Sequence, residues 1–251
     1  PILLDIDVSS GLEPDVFVSN PSVLSYTNGY LEIVGVGECD VIISQAGNQN
    51  YQPAESIESN ITVEKGNQII DLHLNGVLQF GVEYNPISIN ISTGLDFVLG
   101  SSDNLIINAW DDTTSIEGVG TVTLTVSNEG SELWNPVNVE FELEVLPGTQ
   151  ELSIPDSIFI AFGQNEFTVT VSASSGLNNF EFTSGNLEIL EINDGVGAIL
   201  NIGETTVEVV QPGNELWQSV TGLVHVLIDK GTQEIEFGVF DERIFGDSDI
   251  Q

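Results

Sequence analysis

Four landmarks recur along this chain with one spacing, and that period restricts its fold more than any other feature. Ser9-Ser10-Gly11-Leu12 returns as Ser92-Thr93-Gly94-Leu95 and as Ser174-Ser175-Gly176-Leu177, in steps of 83 and 82 residues. Gly47-Asn48-Gln49-Asn50-Tyr51 returns as Gly130 to Trp134 and as Gly213 to Trp217, both steps being 83. Lys65-Gly66-Asn67-Gln68 maps onto Pro147-Gly148-Thr149-Gln150 and Lys230-Gly231-Thr232-Gln233, and Phe80-Gly81 onto Phe162-Gly163 and Phe245-Gly246. A fixed period of this length is the mark of one module copied in tandem. Its phase divides the chain into residues 1–65, a module lacking its first strand; 66–147 and 148–230, two complete modules; and 231–251, the opening of a fourth. The expectation is a window cut from a longer tandem array.

Within each module the apolar residues alternate instead of recurring every three or four positions, which is the period of half-buried strands. Val122, Leu124 and Val126 share one face and Thr121, Thr123 and Thr125 the other; Val207 and Val209 repeat this opposite Thr206 and Glu208. Val139, Phe141, Leu143 and Val145 make a second inward row, backed by Glu140, Glu142 and Glu144. Turns rich in Gly and Asn interrupt these runs every 8 to 12 residues or so, and no helical stretch of useful length occurs. Six or seven short strands per module predict an all-β fold of tandem immunoglobulin-like β-sandwiches. The regular period disfavours the alternatives, an up-and-down barrel or one large β-domain. Modules follow one another with no Ser/Gly linker, so each sandwich is expected to advance the chain by about 35 to 40 Å and the product to be a semi-rigid rod.

Composition excludes several function classes. Thirty-nine acidic residues face three cations, Lys65, Lys230 and Arg243, for a formal charge of −36. Partners built of phosphate, whether nucleic acid or anionic lipid, need a basic face that three scattered cations cannot supply. The abundance of Val, Ile, Leu and Phe argues against disorder. No run approaches 18 apolar residues, so no membrane insertion is expected of this segment, and the first residues do not have the pattern of a signal peptide. Cys39 is the one cysteine and can form no disulfide within the chain.

The run from Ile43 through Tyr51, the Lys65-Gly66-Asn67-Gln68-Ile69-Ile70 junction, the Phe-Gly pairs and the Ser-Ser-Gly-Leu turns together resemble the tandem bacterial immunoglobulin-like repeats of giant surface adhesins, of the MBG or SprB gliding-adhesin type. The resemblance spans essentially the whole chain. It implies export to the bacterial cell surface, in that family through a type IX secretion system, and service as a stalk or filament in adhesion and gliding. The matching residues are turn glycines and core aromatics, so they point to an architecture and not to a ligand. Pro147 in place of the junction Lys, and the scarcity of cations, depart from the pattern; the second suggests a saline setting.

Candidate chemistry is thin. His73 and His225 fall on solvent faces by alternation, and Cys39 shares the inward parity of Val41, so neither a general base nor a nucleophile is expected. Acidic pairs are too numerous to mark general acid catalysis. A structural calcium would be best served by Asp247 and Asp249 or by Asp111 and Asp112, but neither cluster recurs between modules; no other metal or cofactor is expected. Tyr51, Trp134 and Trp217 hold one repeated position and read as anchors closing the sandwich, with glycan stacking the minor reading. Trp110 has surface parity; packing against the neighbouring unit is its favoured reading, and beside Asp111 and Asp112 it is also the candidate glycan contact. Thr113 and Ser157 lie in short Asp-Ser/Thr motifs similar to the O-glycosylation acceptor of bacteria carrying such adhesins. The expected function is a non-catalytic stalk segment of a secreted surface adhesin. Its partners would be the neighbouring repeats, with surface polysaccharide or substratum met through other parts of the parent protein. The alternative is a carbohydrate-binding array attached to a polysaccharide-degrading enzyme.

Overall fold

The computed structural model describes residues 1–82, 87–164, 166–238 and 245. Every regular element in the described residues is a β-strand, as the two-residue apolar period requires. The chain divides into two compact units, Pro1–Leu146 and Pro147–Gln251, taken in turn below.

The second unit shows the module in full. One sheet has four strands in the order Ser157–Ala161, Val220–Asp229, Gly203–Gln211, Glu181–Ser184. The first pair is parallel, Ser157 opposite His225 through Ala161 opposite Asp229; the rest of the sheet is antiparallel. The other layer runs from Leu152–Ser153, paired with Ser172–Ala173, to Glu166–Thr168, Val196–Ile199 and Leu190–Asn193. An opening strand that pairs in one layer and then crosses to lie parallel to the last strand of the other gives the immunoglobulin-like sandwich. Its core takes Val207, Val209, Val224, Val226 and Ile228 from the first sheet and Leu190 and Val169 from the facing layer.

The first unit holds two such modules, each with its own core. In the later one, Val137–Val145, Gly120–Asn128 and Val98–Ser101 form a sheet, Ile70–Leu74 pairs with Ile87–Ile91, and Ile107–Trp110 forms a hairpin with Thr113–Ile116. Val122, Leu124, Val126, Leu143 and Val145 point inward onto Ile70, Ile87, Ile91 and Ile107. Glu140, Glu142 and Glu144 are exposed, as the alternation predicts. In the earlier module, Asp15–Val18, Gly37–Ser44 and Ile57–Val63 face Ile2–Leu3, Tyr30–Ile33 and Leu24–Thr27 across a smaller core of Val23, Leu24, Leu31, Cys39 and Val41.

The hairpins of Leu24–Thr27 with Tyr30–Ile33 and of Leu190–Asn193 with Val196–Ile199 turn on Asn28-Gly29 and Asp194-Gly195, with both residues of each pair at positive φ, the left-handed turn that matches strand twist. In the middle module Asp111 takes the first of these places at φ 50°, and Asp112 stands where the others have glycine.

Candidate functional site

Alternation places Gln68 on the inward side with Ile70, and the structure buries both. A buried amide must find partners or cost free energy, and the partners of Gln68 lie in or beside two other recurring landmarks. Its Nε2 donates to Asn128 Oδ1 at 2.9 Å and to the Asn135 carbonyl at 2.6 Å, and its Oε1 accepts from Thr93 Oγ1 at 2.7 Å. Asn128 Oδ1 also accepts from the Gly130 amide. The third module repeats the arrangement one period later. Gln150 Nε2 donates to Gln211 Oε1 at 2.9 Å and to the Gln218 carbonyl at 2.6 Å, while Ser175 Oγ donates to Gln150 Oε1. Gln211, wholly buried at 0% exposure, donates on to Asn179 Oδ1 at 2.8 Å and accepts from the Gly213 amide.

Backbone ladders flank each polar knot. Gly66 N–H donates to Leu133 O and Asn135 N–H to Gly66 O; in the next module Gly148 N–H donates to Leu216 O and Gln218 N–H to Gly148 O. Ser92 and Ser174 each close a two-way bond with the first strand, through Ile69 and Glu151 respectively. Trp134 lies over Gly66 so closely that a Cβ there would come within 2.4 Å of its ring. Residues separated by 25, 60 and 67 positions thus converge at the start of a module, where they hold its opening strand.

Trp134 and Trp217 are half-buried at this junction and pair with Gly66 and Gly148, so as anchors they clasp the opening strand. Tyr51, at the same repeated position, is 52% exposed.

The remaining candidates are dispersed. Trp110 is 45% exposed and pairs with Thr113 across the hairpin. Asp111 and Asp112 are its turn residues, and Thr113 Oγ1 donates to Asp112 Oδ1 at 3.2 Å. Ser157 is exposed at the start of its strand, opposite His225. His73 and His225 are exposed and far apart in their modules' strands, while Cys39 is buried and accepts from the Asn20 amide at 3.3 Å. Asp247 and Asp249 lie outside the described residues. Among the described residues no three His, Cys, Asp or Glu side chains converge as a metal site would need, and no helix is long and apolar enough to cross a membrane.

No protein-family model matches the chain, and no curated protein matches it. Among solved structures it is similar to Drosophila N-cadherin EC1-3, with a TM-score of 0.30 and 10% identity over 92% of each chain. Domains 4–9 of the surface layer protein SbsC give a TM-score of 0.28 at 14% identity, covering 87% of this chain and 39% of that one. A SusE-like surface-located polysaccharide-binding protein of the Bacteroides thetaiotaomicron heparin utilisation locus gives 0.27 at 14% identity, covering 86% and 36%. These likenesses are weak, and the fold stands on strand order and register alone.

Proposed function

We propose that this chain is a non-catalytic stalk segment of a secreted surface adhesin, built to carry tension between a cell and whatever a distal part of the parent protein grips. The observation that supports this most is the parallel pairing of Ser157–Ala161 with Val220–Asp229. These strands stand near the entry and exit of the module, so pulling its ends apart slides them along each other. All the hydrogen bonds between them must then fail together. An antiparallel terminal pair would unzip one bond at a time at a lower force. The middle module has the same arrangement in shorter form, with Gln79 bridging Leu146 in parallel and Leu146 bonded to both Leu78 and Phe80.

Residue usage supports the same reading. The recurring polar residues are consumed in holding opening strands, and the acidic rows face solvent, where like charges keep neighbouring stalks apart. Single-molecule pulling on the full chain tests the proposal. Each module should release about 270 to 300 Å of contour length for its 83 residues. Ile158→Pro, which removes a donor from the sheared strand on the side that bonds Val220–Asp229, should lower the force of one event and leave the others alone. Events that already occur at the low forces of an unzipping pair would overturn it.

A second reading, carbohydrate binding, has one observation behind it: the exposed Trp110 beside two carboxylates. Binding on a glycan array that vanishes in Trp110→Ala would establish it in place of the stalk.

A further inference from the structure

Two Asn-Gly pairs occur in the chain, Asn28-Gly29 and Asn75-Gly76, and the structure holds them in opposite ways. Asparagine is thermally labile, and before glycine its side-chain amide is most open to attack by its own main chain, because the next residue carries no Cβ to obstruct the approach. The attack requires the Asn ψ angle to swing until the following nitrogen meets the side-chain carbonyl carbon. A backbone fixed by a turn or a ladder resists that swing.

Asn28-Gly29 is fixed. Both residues are left-handed, at φ 52° and 86°, between the paired strand ends Thr27 and Tyr30. The Gly29 carbonyl also accepts from the Leu4 amide at 2.9 Å. Such a turn is matched to the twist of its strands, so Asn28 can react only when the hairpin opens. Asn75-Gly76 has no such hold. It follows the strand Ile70–Leu74, whose pairing ends with Leu74 opposite Ile87, and precedes the parallel bridge of Gln79 to Leu146. Residues 75–78 lie in no strand, and Asn75, Gly76 and Val77 are exposed. Gly76 stands at φ 105°, and among the described residues no main-chain hydrogen bond engages it. Their counterparts 82 residues on, Ser157 and Ile158, belong to the strand that pairs with Val220–Asp229. The middle module replaces the start of that strand by Asn-Gly.

We infer that Asn75 is a site of self-modification. The Gly76 nitrogen gives its proton to solvent base and attacks Cγ of Asn75. A new N–C bond forms, the bond from Cγ to the side-chain nitrogen breaks, and ammonia leaves after taking a proton from solvent. One water then opens the five-membered imide at either carbonyl. The product is aspartate, or the isomer in which the main chain runs through the side chain. Both add a negative charge, and the isomer also lengthens the main chain by one methylene. The change falls three residues before Leu78, which is buried at 4% exposure. The Leu78 carbonyl accepts from the Leu146 amide at 2.9 Å, and the Phe80 amide donates to the Leu146 carbonyl at 3.0 Å. Lengthening the chain just ahead of Leu78 shifts it in its socket, so the modification loosens the parallel bridge. The inference stands on the two pairs and their backbone and not on the stalk reading; a chain that carried no tension would age in the same way.

Peptide mass mapping of the full chain, held in warm, mildly alkaline buffer and digested with an acid protease, provides the test. The peptide containing Asn75 should gain about 1 Da, take up oxygen from labelled water and split into two chromatographic isomers. It should do so about tenfold or more faster than the peptide containing Asn28, whose reaction waits on hairpin opening. In guanidinium chloride, which removes the hairpin, the two rates should agree within about twofold. Hydroxylamine, which opens the imide by breaking the bond to Gly76, should cut the native chain into residues 1–75 and 76–251 and leave the bond after Asn28 whole. Asn75→Ser, which installs the third module's residue, should abolish both signals at position 75 and keep the reaction of Asn28 in denaturant. In the aged fraction, separated by its added charge, the Phe80 and Leu146 amides should exchange about tenfold or more faster than in the fresh chain. Equal rates at the two pairs in the native chain, or an Asn75 that reacts only in denaturant, would overturn the assignment. Unchanged protection of Phe80 and Leu146 in the aged fraction would overturn its effect on the bridge.

Discussion

Replacing Gln211 by Met keeps length and approximate volume while removing every polar atom from the centre of the third module's knot. The change therefore isolates hydrogen bonding from cavity formation. Gln211 is fully buried. Its loss removes the acceptor of one Gln150 N–H and of the Gly213 amide and the donor to Asn179. Gln150 keeps its bond to the Gln218 carbonyl, so one of its two donors is stranded beside the Gly213 N–H. Stranded buried groups cost about 1 to 3 kcal/mol each, and with part of the site open to water a total of about 3 kcal/mol is expected. Hydrogen exchange followed by mass spectrometry reads this module by module, and amides of Val220–Asp229 should lose about 100-fold in protection. The same change at Gln45 supplies the control. That residue stands at the equivalent position but is only half-buried; it donates to the Glu13 carbonyl at 3.0 Å and accepts from the Gly47 amide, with no glutamine donor upon it, so Gln45→Met, which strands that one amide, should cost about 1 kcal/mol or less. Equal losses at the two sites, or a loss at Gln211 below about 1 kcal/mol, would show that the knot merely decorates the junction.

Close approach makes Gly66→Ala a sharp contrast with Gly100→Ala: the first puts a Cβ 2.4 Å from the Trp134 ring, while the second meets nothing nearer than 3.9 Å. Thermal unfolding should show the first destabilised by about 1 to 3 kcal/mol and the second unchanged or slightly stabilised. Glu142→Gln removes a charge lying about 7 Å from each of two others along its strand; by Coulomb's law with screening it should stabilise by about 0.5 kcal/mol at low salt, and the gain should disappear in 0.5 M NaCl. Asp112→Gly gives the middle hairpin the Asp-Gly pair of Asp194-Gly195 and should raise its melting temperature slightly, with no difference between EDTA and calcium in either protein. Cys39, buried in the core of the first module, should react with a thiol reagent only at the rate at which that module opens; rapid labelling of the native chain would contradict the core assigned to it.

Much of this architecture is written in alternation. A row such as Val122, Leu124, Val126 admits one inward face, and both its burial and the exposure of the opposing Glu140, Glu142 and Glu144 follow from a period of two. The knot was less legible, because glutamine reads as polar and surface-bound on average. Two signals could have found it: a glutamine stands fourth in every junction, as Gln68, Gln150 and Gln233, and Gln68 has the parity of Ile70. A glutamine kept on an inward position in copy after copy is there for its hydrogen bonds. The paired aspartates mislead in the opposite way. Asp111 and Asp112 look like ligands when read as composition, yet their place between the paired strand ends Trp110 and Thr113 makes them turn residues. Tyr51 shows a limit of a different kind. Its residue type matches Trp134 and Trp217, but whether such a ring is buried depends on a segment elsewhere in the array.

The knot also explains why the junctions contain no flexible linker. The strand Val137–Val145 ends three residues before Gly148, whose N–H and carbonyl bond to Leu216 and Gln218 in the module that follows. The connection between Val145 and Gly148 is Leu146-Pro147 alone. Under tension it would transmit force into the hydrogen bonds of the next module without first paying out slack. That arrangement makes a testable demand on sequence. Inserting four residues of Gly and Ser between Leu146 and Pro147 leaves every bond named above intact, so the stability of each module should be unchanged within about 0.5 kcal/mol. The low-force extension before the first unfolding event should nevertheless lengthen by about 13 Å, four residues at some 3.3 Å each. If the insertion instead destabilised the third module to the degree expected of Gln211→Met, the opening strand would have to be held by the connection itself, and the glutamine knot would not be what secures it.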